Sequence, residues 1–99
     1  MKSDIAVTRT RRLSKRLVVT LTTSLNGAVA EWDPALPAAL TGREFRRYVE
    51  TRNAATQELA RRVNEKVAVM GDLGNGTVGL LCFHPDGRIE TVVFAEEAR

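Results

Sequence analysis

The stretch TGREFRRYVETRNAATQELARRVN, residues 41–64, decides how the rest of the chain is read. Its opening Thr41-Gly42-Arg43-Glu44 has the Thr-x-x-Glu form of a capping box, in which a hydroxyl and a carboxylate satisfy amides that a helix start leaves orphaned. Leu40 before the cap and Phe45 at the fourth helical position have the spacing of a hydrophobic staple. Phe45, Tyr48, Val49, Ala55, Leu59 and Val63 then recur every three or four residues, which predicts one apolar stripe on a helix running to about Asn64. The opposite face carries Arg43, Arg46, Arg47, Glu50, Glu58, Arg61, Arg62 and Glu65. There Arg46/Glu50 and Glu58/Arg62 are spaced for ion pairs worth a few tenths of a kcal/mol each. A lone amphipathic helix needs a sheet to cover its stripe, and the flanking sequence offers strands.

Upstream, Val19, Leu21 and Leu25 alternate with Thr20, Thr22 and Ser24, and Asn26-Gly27 suits a two-residue turn. A hairpin over roughly 18–25 and 28–32 is expected. Asp33-Pro34-Ala35-Leu36-Pro37 reads as a connector, because each proline lacks an amide donor and restricts the residue before it. Downstream, residues 67–71, 77–83 and 88–95 are β-rich. Gly74-Asn75-Gly76 and His84-Pro85-Asp86-Gly87 separate them with turn chemistry. The expected architecture is a single small α+β domain over 17–99, in the order β-β-α-β-β-β, with the helix packed on one antiparallel or mixed sheet. A basic flexible arm over residues 1–16 precedes it.

The chain's 99 residues and 10.9 kDa allow one domain. Apolar residues at 43 % and charged residues at 27 % exclude collagen-like and wholly disordered classes. The single cysteine, Cys82, excludes an internal disulfide. The net charge of +3 hides an asymmetry. Residues 1–16 hold six Lys/Arg against Asp4, and the remainder holds nine Lys/Arg against eleven Asp/Glu. Arg9, Arg11, Arg12, Lys15 and Arg16 are therefore candidate phosphate contacts of a nucleic-acid-associated regulator, with a solvated tail as the competing reading. Twelve arginines to three lysines is the bias of GC-rich codons and points to a bacterial or phage gene.

An export signal has to be weighed, since Arg11-Arg12 stands ahead of a mildly apolar run ending in Ala28-Val29-Ala30. The run alternates like a strand and is interrupted by Thr20, Thr22, Thr23, Ser24, Asn26 and Gly27, so a cytoplasmic protein without a membrane segment is expected.

Chemical motifs are few. Cys82, His84 and Asp86 alternate by two, but neighbours at that spacing on a strand stand roughly 7 Å apart, given a rise of about 3.3 Å per residue. No second cysteine or histidine exists to complete a structural zinc site. Gly71-Asp72-Leu73-Gly74-Asn75-Gly76 resembles a phosphate loop but leads into a strand and not a helix. No catalytic residue, metal or cofactor is assigned, and the reading is of a non-enzymatic protein. The carboxy-terminal strands are more informative. Alternation gives one face Val67, Val69, Val78, Leu80, Cys82, Ile89 and Val93, and the other Ala68, Met70, Leu81, Phe83, Val92 and Phe94. Both are apolar, and one helix covers only one of them. Either the amino-terminal hairpin folds over the second face, or Met70, Leu81, Phe83, Val92 and Phe94 are partner-binding residues, for a second copy in a homodimer or for another protein.

Overall fold

Thr41 caps the helix as its side chain requires. In the computed structural model, which describes residues 5–35, 39–74 and 77–94, the Thr41 hydroxyl accepts from the Glu44 amide at 3.1 Å and the Glu44 carboxylate accepts from the Thr41 amide at 2.9 Å. Helix α1 spans Gly42–Val63 and stops at Asn64, which takes the left-handed conformation (φ 58°) that asparagine tolerates better than most residues. Both ends match the sequence expectation. The stripe differs from the expected one: Glu44, Thr51, Ala55, Thr56, Leu59, Ala60 and Val63 are buried, whereas Phe45 is exposed and Tyr48 and Val49 are only half-buried. Glu58 pairs with Arg62 at 3.0 Å as its spacing predicts, and also with Arg61. Glu50 pairs with Arg11 rather than Arg46.

The strands are β1 (Ala6–Ser14), β2 (Leu17–Ser24) and β3 (Gly27–Asp33) before the helix, and β4 (Val67–Gly74), β5 (Thr77–Phe83) and β6 (Ile89–Val93) after it. They form two antiparallel three-stranded sheets, β1-β2-β3 (sheet A) and β4-β5-β6 (sheet B). The α+β class is as expected, but the single sheet is corrected to two. The order is corrected to β-β-β-α-β-β-β, because most of the expected flexible arm is strand β1. Its alternation is muted: Val7 and Leu13 are its only buried residues. Arg9 and Arg11 lie opposite Leu21 and Val19, and Thr8 and Thr10 hydrogen-bond across to Thr22 and Thr20. The hairpin turn falls on Leu25-Asn26, with Gly27 (φ 133°) opening β3 in a conformation that favours glycine.

One core cluster draws Val7 and Leu21 from sheet A, Ala55, Leu59, Ala60 and Val63 from α1, and Val67, Leu81 and Phe83 from sheet B. A second, Leu13, Leu17 and Val19, is covered by Trp32, Leu40 and Tyr48. The Trp32 and Tyr48 rings lie 5.5 Å apart with a 33° tilt. The helix therefore serves both sheets. It covers β1 and β2 of sheet A and β4 and β5 of sheet B.

Candidate association surface

The β5–β6 turn fixes which side chains of sheet B share a face. Pro85 sits where its fixed φ favours a turn, the Gly87 amide closes the turn onto the His84 carbonyl at 3.0 Å, and Gly87 (φ 97°) supplies the left-handed residue that a three-residue hairpin loop needs. The His84 amide then donates to the Arg88 carbonyl, which sets Phe83 opposite Ile89 and Leu81 opposite Thr91. On the other edge, Val67 lies opposite Phe83 and Val69 opposite Leu81. These residues form the helix-facing side.

Leu81 and Phe83 are accordingly core residues and are corrected from the proposed partner face; Phe83 is only 1 % exposed. Met70, Val92 and Phe94 do share the opposite side, together with Val78 and Leu80. Met70 is 60 %, Val92 49 %, Val78 46 % and Phe94 43 % exposed. An antiparallel sheet with one solvated face ordinarily alternates apolar with polar residues, and this one does not. By itself, alternation along each strand groups Leu81 and Phe83 with Met70, Val92 and Phe94, because it leaves the register between strands open. The Pro-Asp-Gly loop length was the signal that would have set it.

Strand β6 is exposed along its whole length. Its helix-side residues Ile89 and Val93 are exposed as well as its outer ones, since the helix packs over β4 and β5. At one end of the outer face, His84 Nε2 lies 2.6 Å from Glu90 Oε1 and Arg88 Nη2 lies 3.4 Å from His84 Nδ1. A carboxylate only accepts, so the His84 Nε2–H donates to Glu90. That bond is the main reason the Glu90 carboxyl lies below the usual range. The Arg88 amide does the same for Asp86. Cys82 is buried, and among the described residues no three His, Cys, Asp or Glu side chains are placed to hold a metal ion.

The five basic candidates do not form one cationic surface. Arg9 and Arg11 project to the helix side of β1, and Arg12 to the other. Arg11 pairs with Glu50 at 3.3 Å, Arg12 Nη1 donates to the Ser14 and Lys15 carbonyls, and Arg16 is bound to Glu44. The Arg9 and Lys15 side chains are exposed and have no hydrogen bond or ion pair among the described residues. An open cleft of about 180 Å³ lies between Arg9, Thr10, Arg11, Glu50, Thr51 and Ala54. That is below the roughly 300–1,000 Å³ of most small-molecule sites.

No family model, curated protein or solved structure matches this chain. The reading of its function therefore rests on surface chemistry alone. The run over residues 17–30, weighed as an export segment, forms β2 and most of β3. Among the described residues no helix is long and apolar enough to cross a membrane.

Proposed function

We propose that this protein acts by occupancy, as a small regulatory binding module whose working surface is the outer face of sheet B and whose partner is a second copy of itself. The observation that carries the reading is the concentration of exposed Met70, Val78, Val92 and Phe94 on one side of a single three-stranded sheet. Contiguous exposed apolar surface of this kind marks association sites. Light scattering during size-exclusion chromatography tests it. The native chain is expected at the dimer mass, and Met70→Lys or Val92→Lys at the monomer mass with an unchanged far-ultraviolet spectrum. A native chain that stays monomeric as its concentration rises removes the reading.

Phosphate binding by the basic residues is the second reading, favoured by Arg9 and Lys15, whose exposed side chains have no partner among the described residues. If these two side chains neutralise two phosphates, log K against log[salt] on duplex DNA is expected to slope near −2. The shallow slope, or no binding, separates this from a dedicated nucleic-acid protein.

A further inference from the structure

We infer that two copies of this chain join edge to edge, β6 pairing antiparallel with β6 of a second copy about Thr91. The result is a continuous six-stranded sheet built from two copies of sheet B. The inference rests on the self-association reading above and adds a second contact to it, at the β6 edge that borders the apolar face.

The hydrogen bonds of β6 to β5 set which backbone groups remain open. The Phe94 amide donates to the Val78 carbonyl and the His84 amide to the Arg88 carbonyl. In an antiparallel ladder this makes Arg88, Glu90, Val92 and Phe94 the residues that bond to β5. The amides and carbonyls of Ile89, Thr91 and Val93 therefore point outward along an edge that no other described strand pairs with. Such a row is a template for another extended strand.

Self-pairing about a two-fold axis uses all three of these residues in one register only, with Thr91 opposite Thr91 and Ile89 opposite Val93 of the second copy. Shifting the register leaves an outward residue unpaired. In the symmetric register the exposed Ile89 and Val93 side chains become cross-strand apolar neighbours on the helix side, a favourable pairing. On the outer side, Arg88 falls opposite Phe94, a cation over an aromatic ring. Glu90 already has partners in its own chain, His84 at 2.6 Å and Arg88 at 3.8 Å. The two exposed apolar faces are then carried side by side.

Strand β6 carries one charged residue, Glu90, held by His84 and Arg88, and the other edges are guarded more heavily. Strand β1 carries Arg9, Arg11 and Arg12 and has an irregular register between Arg12 and Ser14. Strand β3 carries Glu31 and Asp33 and runs into Pro34. Strand β4 has a register shift between Asp72 and Gly74. Charges, prolines and bulges are the usual defences of a free edge.

The test is amide hydrogen exchange by NMR across a dilution series, paired with Thr91→Pro in light scattering. In an isolated chain Glu90, Val92 and Phe94 amides are protected and Ile89, Thr91 and Val93 amides are open. Edge pairing should slow exchange at Ile89, Thr91 and Val93 by roughly tenfold or more as concentration rises. Thr91→Pro removes an amide that points away from β5, a position where an edge strand accepts proline, and should leave a folded monomer. A native dimer whose Ile89, Thr91 and Val93 amides exchange freely overturns the edge geometry and leaves the apolar-face reading standing. So does a folded Thr91→Pro chain that remains dimeric. A native chain that is monomeric throughout overturns both. If Thr91→Pro fails to fold, the exchange pattern of the native chain decides.

Discussion

Arg16 clasps Glu44 with two parallel hydrogen bonds, Nε to Oε2 at 2.9 Å and Nη2 to Oε1 at 2.8 Å, and so ties the β1–β2 turn to the first turn of α1. Glu44 is 1 % exposed, and its carboxylate also accepts from the Ser14 hydroxyl at 2.5 Å and the Thr41 amide at 2.9 Å. One carboxylate thus closes the capping box and anchors a sheet.

This clasp makes stability depend on acid. The Arg16 guanidinium first, then the Ser14 hydroxyl and the Thr41 amide, lower the Glu44 carboxyl to about 2 against the opposing effect of burial. Because the folded value lies below the unfolded one, the stabilisation is complete above the ordinary glutamate range and drains away as pH falls towards about 2. Thermal melts across that range should show Glu44→Gln melting lower than the native chain at neutral pH, with the gap closing in acid. A gap that does not change with pH would assign the loss to packing alone.

The two sides of sheet B should respond oppositely to the same kind of change. Phe83→Ala, at a fully buried position, should cost about 3–5 kcal/mol in denaturant unfolding. Met70→Lys, on the exposed side, should change the stability of the isolated chain by less than about 0.5 kcal/mol. Equal losses at the two positions would mean that the outer face is covered within the chain.

Thr23 is buried and its hydroxyl has no hydrogen-bond partner among the described residues. Valine has nearly the same shape and no polar atom to bury. Thr23→Val is therefore expected to raise stability by about 1 kcal/mol, measured as a higher urea midpoint at constant slope. A lower midpoint would reveal a partner for the hydroxyl.

Asn64 ends α1 at φ 58°. Asn64→Gly should be neutral or mildly stabilising, while Asn64→Val should cost about 1–2 kcal/mol, since a β-branched side chain crowds its own backbone in that conformation. Similar melting temperatures for the two variants would show that the helix end rearranges.

What could be read from the sequence follows from the range of each interaction. Thr41, Glu44 and Asn64 act within a turn of their own positions, and the helix bounds were legible from them. The turn at Pro85-Asp86-Gly87 is local as well, and β5 was found to the residue. Strand β1 escapes the alternation because exposed Arg9 and half-buried Arg11, which pairs with Glu50, occupy helix-side positions where apolar residues are expected. The division into two sheets depends on whether separate meanders share hydrogen bonds, and nothing in the alternation of either one encodes that. The candidate surface was half legible for the same reason. Met70, Val92 and Phe94 follow from exposure, but separating them from Leu81 and Phe83 needed the register.

In both sheets every strand is bonded only to its neighbour along the chain. No strand has to wait for a partner synthesised far away, so each meander can assemble as a series of hairpins, events that take on the order of microseconds. The slow step is then the one long-range event in this topology, the landing of both meanders on a single helix, where the loops to be closed are longest and the entropy cost is greatest. Folding speed in this protein should accordingly follow substitutions at Leu21, Leu59 and Phe83, where the three parts first meet.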